Sequence, residues 1–190
     1  MTVTIDGTNG LTFPDNSVQS KTGANATNIT SGVLAFANGG SNVATIPAFF
    51  AARTGTDQTG ITAATATKVQ LNTKVFDTNS NFDNTTNYRF TPTVAGYYQM
   101  SWSAYMFSST STSMRAYLYK NGTNFLSGSW MYAPGSQTDD VSTGSGLVYM
   151  NGTTDYLELY VYIQSGSSLT VYNGSTPYWT FLSGCLVRGA

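Results

Sequence analysis

Apolar and polar residues alternate along several segments of the chain, and the clearest case is residues 97–106. A period of two is that of a β-strand, whose successive side chains point to opposite faces of the sheet. One face of this segment carries Tyr98, Met100, Trp102, Ala104 and Met106. The other face carries Gln99, Ser101 and Ser103. The pattern predicts a half-buried antiparallel strand.

A second segment, residues 155–164, alternates in the same way but is aromatic on its more polar side. Its apolar face carries Leu157, Leu159, Val161 and Ile163, and its other face carries Tyr156, Glu158, Tyr160 and Tyr162. A ring buries roughly 150 to 250 Å² when it is covered, and a free surface rarely carries three large rings in a row. We expect Tyr156, Tyr160 and Tyr162 to form an oligomer interface; the alternative is a second buried face within the same sandwich.

Turn signals separate further strands. Residues 114–128 predict two strands around Asn121-Gly122, a dipeptide that favours a two-residue hairpin turn. Residues 179–187 predict a closing strand that is apolar on both faces. No stretch sustains the i, i+3, i+4, i+7 apolar spacing of a helix. The predicted fold class is all-β, an antiparallel jelly-roll sandwich with an extended N-terminal segment.

Three segments of the chain differ in composition. Residues 1–21 alternate weakly, residues 22–45 are small and polar around one apolar cluster, and strands become dense from Ile46. We interpret them as an attachment segment at 1–21, a connector at 22–45 and a head domain at 46–190.

The charge of the chain excludes some classes of partner. Charged residues make up only 9% of the chain, the net charge is −1, and the Lys and Arg residues are scattered singly. Nucleic-acid binding needs a clustered basic face. No segment approaches the roughly 18 apolar residues of a membrane span, and the N-terminus lacks the pattern of a signal peptide. We therefore expect no nucleic-acid partner and no membrane insertion.

Candidate catalytic chemistry is sparse. The chain has no His, which is the commonest general base and metal ligand. Its one Cys, Cys185, has no disulfide partner and is expected to be a small buried hydrophobe. Polysaccharide cleavage would need two carboxylates close together, and the sequence does not require Glu158 to lie near Asp77, Asp83 or Asp155. We expect a protein that is not an enzyme and holds no cofactor.

From about Pro47 onwards, several motifs occur in a consistent order. They are Phe90-Thr91-Pro92 with Gly96-Tyr97-Tyr98-Gln99-Met100, then Gly152 to Asp155 with Leu157 and Leu159, then Ser183-Gly184-Cys185-Leu186-Val187. With these motifs the chain resembles the globular head domain of the complement first component, the trimeric jelly roll shared with tumour necrosis factor. The resemblance implies a homotrimer.

The calcium sites of that family are not expected in this chain. Asp139-Asp140 is the only adjacent acidic pair, and it lies in a predicted loop. A hard cation needs six or more convergent oxygen ligands, which one pair does not supply. No metal site is predicted.

The first forty residues carry a second resemblance. Residues 10–20, GLTFPDNSVQS, resemble a segment of the form G-x-x-F-P-D-G-S-x-Q found in bacteriophage tail-fibre and virion-fibre proteins, and residues 28–40 resemble the short repeats that follow it. The resemblance implies a virion location and docking to another virion protein. The residues expected to make that attachment are Leu11, Phe13, Pro14 and Val18. The alternative is a disordered leader, because so few apolar side chains return little for the entropy of ordering the segment.

Aromatic residues near turn-rich loops are the candidates for receptor binding. They are Trp130, Tyr132, Tyr172 and Tyr178. Rings beside Ser, Asn and Gly suit sugar faces or protein epitopes, because they give contact area at a low entropy cost. Core packing is the alternative for each, and it is equally expected for Trp179, which lies inside the predicted closing strand.

The function that these patterns predict is that of a trimeric structural protein of a phage virion, a fibre or knob whose head binds a host-surface glycan or protein. One alternative is a capsid or tail decoration protein that cements the particle without a receptor. A second alternative is a polysaccharide-cleaving fibre head.

Overall fold

Strands are the only regular elements in the described part of the chain. A computed structural model describes residues 4–6, 10–12, 18–19, 46–108, 113–132, 138–164, 169–174 and 177–190. The chain divides into two compact units, Met1–Asn42 and Val43–Ala190. All strand pairs among the described residues are antiparallel.

The first unit contains a three-stranded sheet in the order β1-β2-β3. Its strands are β1 (Thr4–Asp6), β2 (Gly10–Thr12) and β3 (Val18–Gln19). Two predicted attachment residues lie on adjacent strands of it, Leu11 on β2 and Val18 on β3. Phe13, Pro14 and the connector at 22–45 lie outside the described residues, so attachment stays a prediction.

The second unit contains two seven-stranded sheets. The first sheet consists of β4 (Ala48–Ala52), β5 (Gln58–Ile61), β7 (Thr73–Asp77), β10 (Gly96–Ser108), β14 (Thr138–Met150), β16 (Leu169–Val171) and β17 (Phe181–Gly189). Its order is β5-β16-β10-β17-β4-β7, and β14 pairs along the full length of β10. The two long strands β10 and β14 thus form one end of this sheet.

The second sheet covers the other side of the core. It consists of β6 (Thr67–Lys68), β8 (Phe82–Asp83), β9 (Arg89–Phe90), β11 (Ser113–Lys120), β12 (Thr123–Ser127), β13 (Met131–Tyr132) and β15 (Leu157–Ile163). Its order is β12-β11-β15-β9-β8, with β13 paired to β11 and β6 to β15.

The predicted alternation is confirmed in both sheets. The five apolar residues of 97–106 lie on the inner face of β10, each no more than 2% exposed. Leu157, Leu159, Val161 and Ile163 are fully buried on the inner face of β15. The two inner faces form one hydrophobic core, so the second unit is the antiparallel sandwich that the sequence predicts.

The Asn121-Gly122 hairpin is confirmed between β11 and β12. Both turn residues have positive φ, 53° at Asn121 and 78° at Gly122, as a type I′ turn requires. The Asn121 side chain also donates to the Asp155 carboxylate at 2.8 Å and accepts from the backbone N–H of Tyr156 at 2.9 Å. The hairpin turn is therefore tied to the loop that precedes β15.

Asp139 and Asp140 were expected in a loop, and this prediction is wrong. Both belong to β14, where their backbones pair with Phe107 and Met106 of β10. The strand continues to Met150 through Gly144 and Gly146. The ladder to β10 outweighs their weak strand propensity, as tertiary contacts commonly do in sheets.

Candidate functional site

The outer face of the first sheet has a broad patch without charged side chains, which is bordered by Arg188 opposite Tyr97. The side chains that define this uncharged face are Phe50, Phe76, Tyr97, Gln99, Ser101, Leu147, Tyr149, Phe181, Ser183, Cys185 and Val187. Strand register brings them together: Phe76 lies opposite Phe50, and Gln99 lies between Cys185 and Leu147. Leu147 is 55% exposed, Val187 52% and Phe76 48%. Monomeric proteins rarely leave a contiguous apolar surface of this kind open to water.

A groove of about 260 Å³ runs across the uncharged face. Phe50 and Phe76 form one wall, and Gln99, Ser101 and Cys185 line the rest. The prediction that Cys185 is a buried hydrophobe is wrong, because this residue is exposed. It lies opposite Gln99 on the outer side of β17, whereas its neighbour Leu186 points into the core.

Two predicted receptor residues, Tyr172 and Tyr178, lie on the outer side of the first sheet. Tyr178 packs on Phe50 with ring centroids 5.5 Å apart. Tyr172 packs on Tyr105 at 4.9 Å. Trp179, expected inside the closing strand, instead precedes β17, is 42% exposed and contacts Tyr105 edge-on at 5.2 Å. These aromatic residues extend the uncharged face toward the β16 end of the sheet.

The outer face of the second sheet carries a different pattern, which we call the tyrosine ladder. It consists of Tyr117 and Tyr119 on β11, Tyr160 and Tyr162 on β15, and Tyr156 just before β15. Tyr119 stacks on Tyr160 with centroids 4.0 Å apart, and Tyr117 meets Tyr162 edge-on at 6.4 Å. Burial, and after it the nearby charge of Glu158, raises the pKa of Tyr160 to about 12, so its hydroxyl stays protonated. The predicted interface residues Tyr156, Tyr160 and Tyr162 are half-buried here. Tyr160 and Tyr162 contact rings of their own chain, and Tyr156 lies under Arg89.

Cations lie among the rings of the tyrosine ladder. Arg115 stacks over Trp130 at 3.5 Å from the ring centroid, and Arg89 lies over Tyr156 at 4.4 Å. The carboxylate of Glu158 is only 4% exposed and pairs with Lys68 at 2.6 Å. Within the described ranges no carboxylate forms an ion pair with either arginine.

The four predicted receptor residues do not form one site. Trp130 and Tyr132 are 60% and 73% exposed and lie beside β11, at the Arg115 end of the tyrosine ladder. Tyr172 and Tyr178 lie on the opposite side of the sandwich. No sequence pattern pointed to Arg115, which meets Trp130 only once β11 pairs with β13.

Two of the four candidate catalytic carboxylates hold neighbouring strands together. Asp155 accepts from Asn121 at 2.8 Å and pairs with Lys120 at 3.0 Å. Burial opposes ionisation of Asp155, but the hydrogen bonds from Asn121 and Lys120 outweigh it and hold its pKa below the ordinary value. Glu158 pairs with Lys68, as described.

The other two carboxylates organise the turns on either side of β8. Asp77 accepts the backbone N–H of Phe82 at 2.9 Å. Asp83 accepts the backbone N–H groups of Thr86 and Asn87, each at 3.0 Å, and the Asn87 amide at 2.8 Å. All four carboxylates thus have structural hydrogen-bond partners.

Metal and membrane features were searched across the described ranges. No group of three or more Cys, Asp or Glu side chains there could hold a metal ion. The same ranges contain no helix long and apolar enough to cross a bilayer.

Solved structures with a similar fold are found, although no protein-family model and no curated protein matches the sequence. The globular domain of a zebrafish complement 1qA protein aligns with a TM-score of 0.54 at 20% identity, over 77% of this chain and 100% of that one. Murine APRIL aligns with a TM-score of 0.55 at 10% identity, over 75% and 100%. The Eiger TNF of S. frugiperda aligns with a TM-score of 0.55 at 8% identity, over 76% and 94%. The chain contains a complement- and TNF-like jelly roll. At these identities the likeness is one of fold.

Asp83 is expected to make a pH-dependent contribution to the stability of the jelly roll. Hydrogen bonds from Thr86 and Thr85, the largest causes, hold its pKa well below the ordinary value. Asp83→Asn replaces an acceptor oxygen by an amide that faces N–H donors, and we expect it to cost about 1–3 kcal/mol near pH 7. A depressed folded pKa contributes stability that is present above about pH 4 and is lost as the pH falls.

The measurement is the melting temperature of Asp83→Asn and the unsubstituted chain between about pH 7 and pH 2. The difference between the two melting temperatures is expected to be constant above about pH 5 and to shrink below about pH 4. The exposed Asp140→Asn serves as the matched control and should move the melting temperature little. A gap for Asp83→Asn that is unchanged at low pH would contradict the role given to its carboxylate.

Proposed function

We propose that the chain is a homotrimeric structural protein of a bacteriophage virion, whose jelly-roll head binds a host-surface molecule and catalyses no reaction. The observation that supports a trimer is the uncharged face. Leu147, Val187 and Phe76 are about half exposed there, in a head whose core is already complete without them. Burying such side chains stabilises association by about 25 cal/mol per Å² of apolar surface.

The uncharged face fits the contact between copies better than the tyrosine ladder does. No charged side chain stands among the outward residues that define it, and Arg188 lies at its Tyr97 end. The ladder, by contrast, holds the ion pair of Lys68 and Glu158 and two arginines. Interface cores are depleted of charge, because desolvating an ion is costly. We therefore assign the subunit contact to the uncharged face, with Tyr172 and Tyr178 at its margin.

The virion location rests on the N-terminal motifs. Residues 10–20 resemble fibre-protein segments, and within them Gly10–Thr12 and Val18–Gln19 pair as strands of the small N-terminal sheet. Another virion protein is the proposed partner of this segment. A decoration protein would share both the trimer and the anchor, so receptor binding is the property that separates the two functions.

Competition for adsorption tests the proposed function. Purified full-length chain, added in excess, is expected to block adsorption of phage particles that carry it. Trimerisation multiplies a weak single-site contact, so a monomeric variant should need at least about tenfold more protein. A trimer that never competes would overturn receptor binding in favour of decoration, and release of reducing ends from host polysaccharide would overturn the non-enzymatic assignment.

A further inference from the structure

We infer that the tyrosine ladder, together with Arg115, Arg89 and Trp130, binds a polysaccharide that carries carboxylate groups. The inference deepens the proposed function and rests on it, because a trimer formed through the uncharged face leaves the outer face of the second sheet open to solvent.

The shape of the ladder suits an extended chain of sugars. Its rings follow β15 from Tyr156 to Tyr162, and six residues of strand span about 20 Å. Tyr117 and Tyr119 on β11 form a parallel row beside them. Tyr119 and Tyr160 stack on each other, so one face of each is covered. The rows offer their remaining ring surface and their hydroxyls to a sugar.

The charges of the ladder select an acidic sugar. Lys68 is neutralised by Glu158, and Lys120 is paired with Asp155 at 3.0 Å. Arg89 and Arg115 differ from both lysines, because in the described part of the chain they contact rings and form no ion pair. The ladder thus carries two arginines that form no ion pair with a described carboxylate, although Asp83 lies opposite Arg89 in the register of β8 and β9.

Stacking also orients Arg115 for a carboxylate. A guanidinium that lies flat on a ring keeps its N–H groups at the edge of its plane, where they can donate two parallel hydrogen bonds to one carboxylate. Trp130, 60% exposed, holds Arg115 in this way and offers the rest of its ring to a sugar. Arg89 over Tyr156 repeats the arrangement at the other end of β15.

Binding of the full-length chain to immobilised polygalacturonate tests the inference, with neutral dextran as the comparison. We expect binding to polygalacturonate that weakens with added salt, and little binding to dextran. Arg115→Gln and Arg89→Gln should each lower the affinity about tenfold, as expected for loss of a charged hydrogen bond. Lys74→Gln, which removes a positive charge from β7 on the first sheet, is the matched control and should bind as the unsubstituted chain does.

Trp130→Ala keeps the test decisive if an arginine variant misfolds, because Trp130 is exposed and its loss leaves the core intact. It should also lower the affinity about tenfold. Equal binding to dextran, absence of binding to polygalacturonate, or unchanged affinity of Arg115→Gln and Trp130→Ala would each overturn the inference. The oligomeric state of the same preparations is measured, and each is tested for competition with phage adsorption. A trimer that competes without binding polygalacturonate would contradict this inference alone. A chain that does not compete would contradict the proposed function.

Discussion

Leu147→Glu is expected to convert the proposed trimer into folded monomers. Leu147 lies on β14 within the uncharged face and is 55% exposed, so the substitution leaves the core of the single chain intact. In the proposed trimer each copy would bury a carboxylate without a partner, which costs on the order of several kcal/mol per copy. Three such penalties exceed what an interface of ordinary size retains after association costs.

Light scattering on the purified full-length chain measures the effect. Phe125→Glu is the matched control, since Phe125 is 49% exposed on β12 of the second sheet and the same change there should leave the trimer intact. Cys185 supplies a second readout: a thiol reagent should modify it slowly in the unsubstituted chain and quickly in Leu147→Glu. A Leu147→Glu chain that remains trimeric, or Cys185 that reacts equally fast in both, would remove the uncharged face as the subunit contact.

The uncharged face could not be found from the sequence, because its residues are distant from one another along the chain. Phe50, Phe76, Leu147 and Cys185 come from four strands that are far apart along the chain. Only the register of β7, β4, β17, β10 and β14 assembles them. The interface prediction fell on Tyr156, Tyr160 and Tyr162 because they share one segment, residues 155–164, in which a period of two is visible locally.

The strands that were predicted correctly have strong local signals. Residues 97–106 and 155–164 alternate with large apolar residues, and Asn121-Gly122 fixes a hairpin by backbone conformation alone. β14 has no such signal. Its inward positions include Gly144 and Gly146, so the strand lacks the apolar period even though it pairs with β10 over thirteen residues.

Gly144 and Gly146 have no room for a side chain, because neighbouring side chains occupy the space where a Cβ would lie. A Cβ at Gly144 would lie 2.2 Å from the ring of Trp102, and one at Gly146 would lie 2.6 Å from Leu126. Trp102 faces Gly144 directly across the β10 to β14 pairing. The pattern of β14 is therefore explained by its neighbours in the sandwich, which a linear reading of residues 138–150 cannot reveal.

Gly144→Ala is accordingly expected to destabilise the head by at least about 1–3 kcal/mol, the usual cost of overpacking a core. The opposite sign holds at a strand position with open space, where Ala is better than Gly by roughly 0.5–1 kcal/mol. Trp102→Ala alone should cost about 3–5 kcal/mol, because it empties a site that is only 2% exposed.

The combination of the two substitutions isolates their contact. With Trp102 reduced to Ala, the methyl group added at Gly144 enters vacated space, so Gly144→Ala should become neutral or stabilising in that background. Chemical denaturation of the four chains in a double-mutant cycle measures this coupling as a free energy of unfolding. Gly146→Ala, which meets Leu126 rather than Trp102, is the control and should cost the same with and without the indole. If Gly144→Ala lowers the free energy of unfolding equally in both backgrounds, Trp102 does not restrict the size of residue 144. The explanation for the absence of an apolar alternation in β14 would then be wrong.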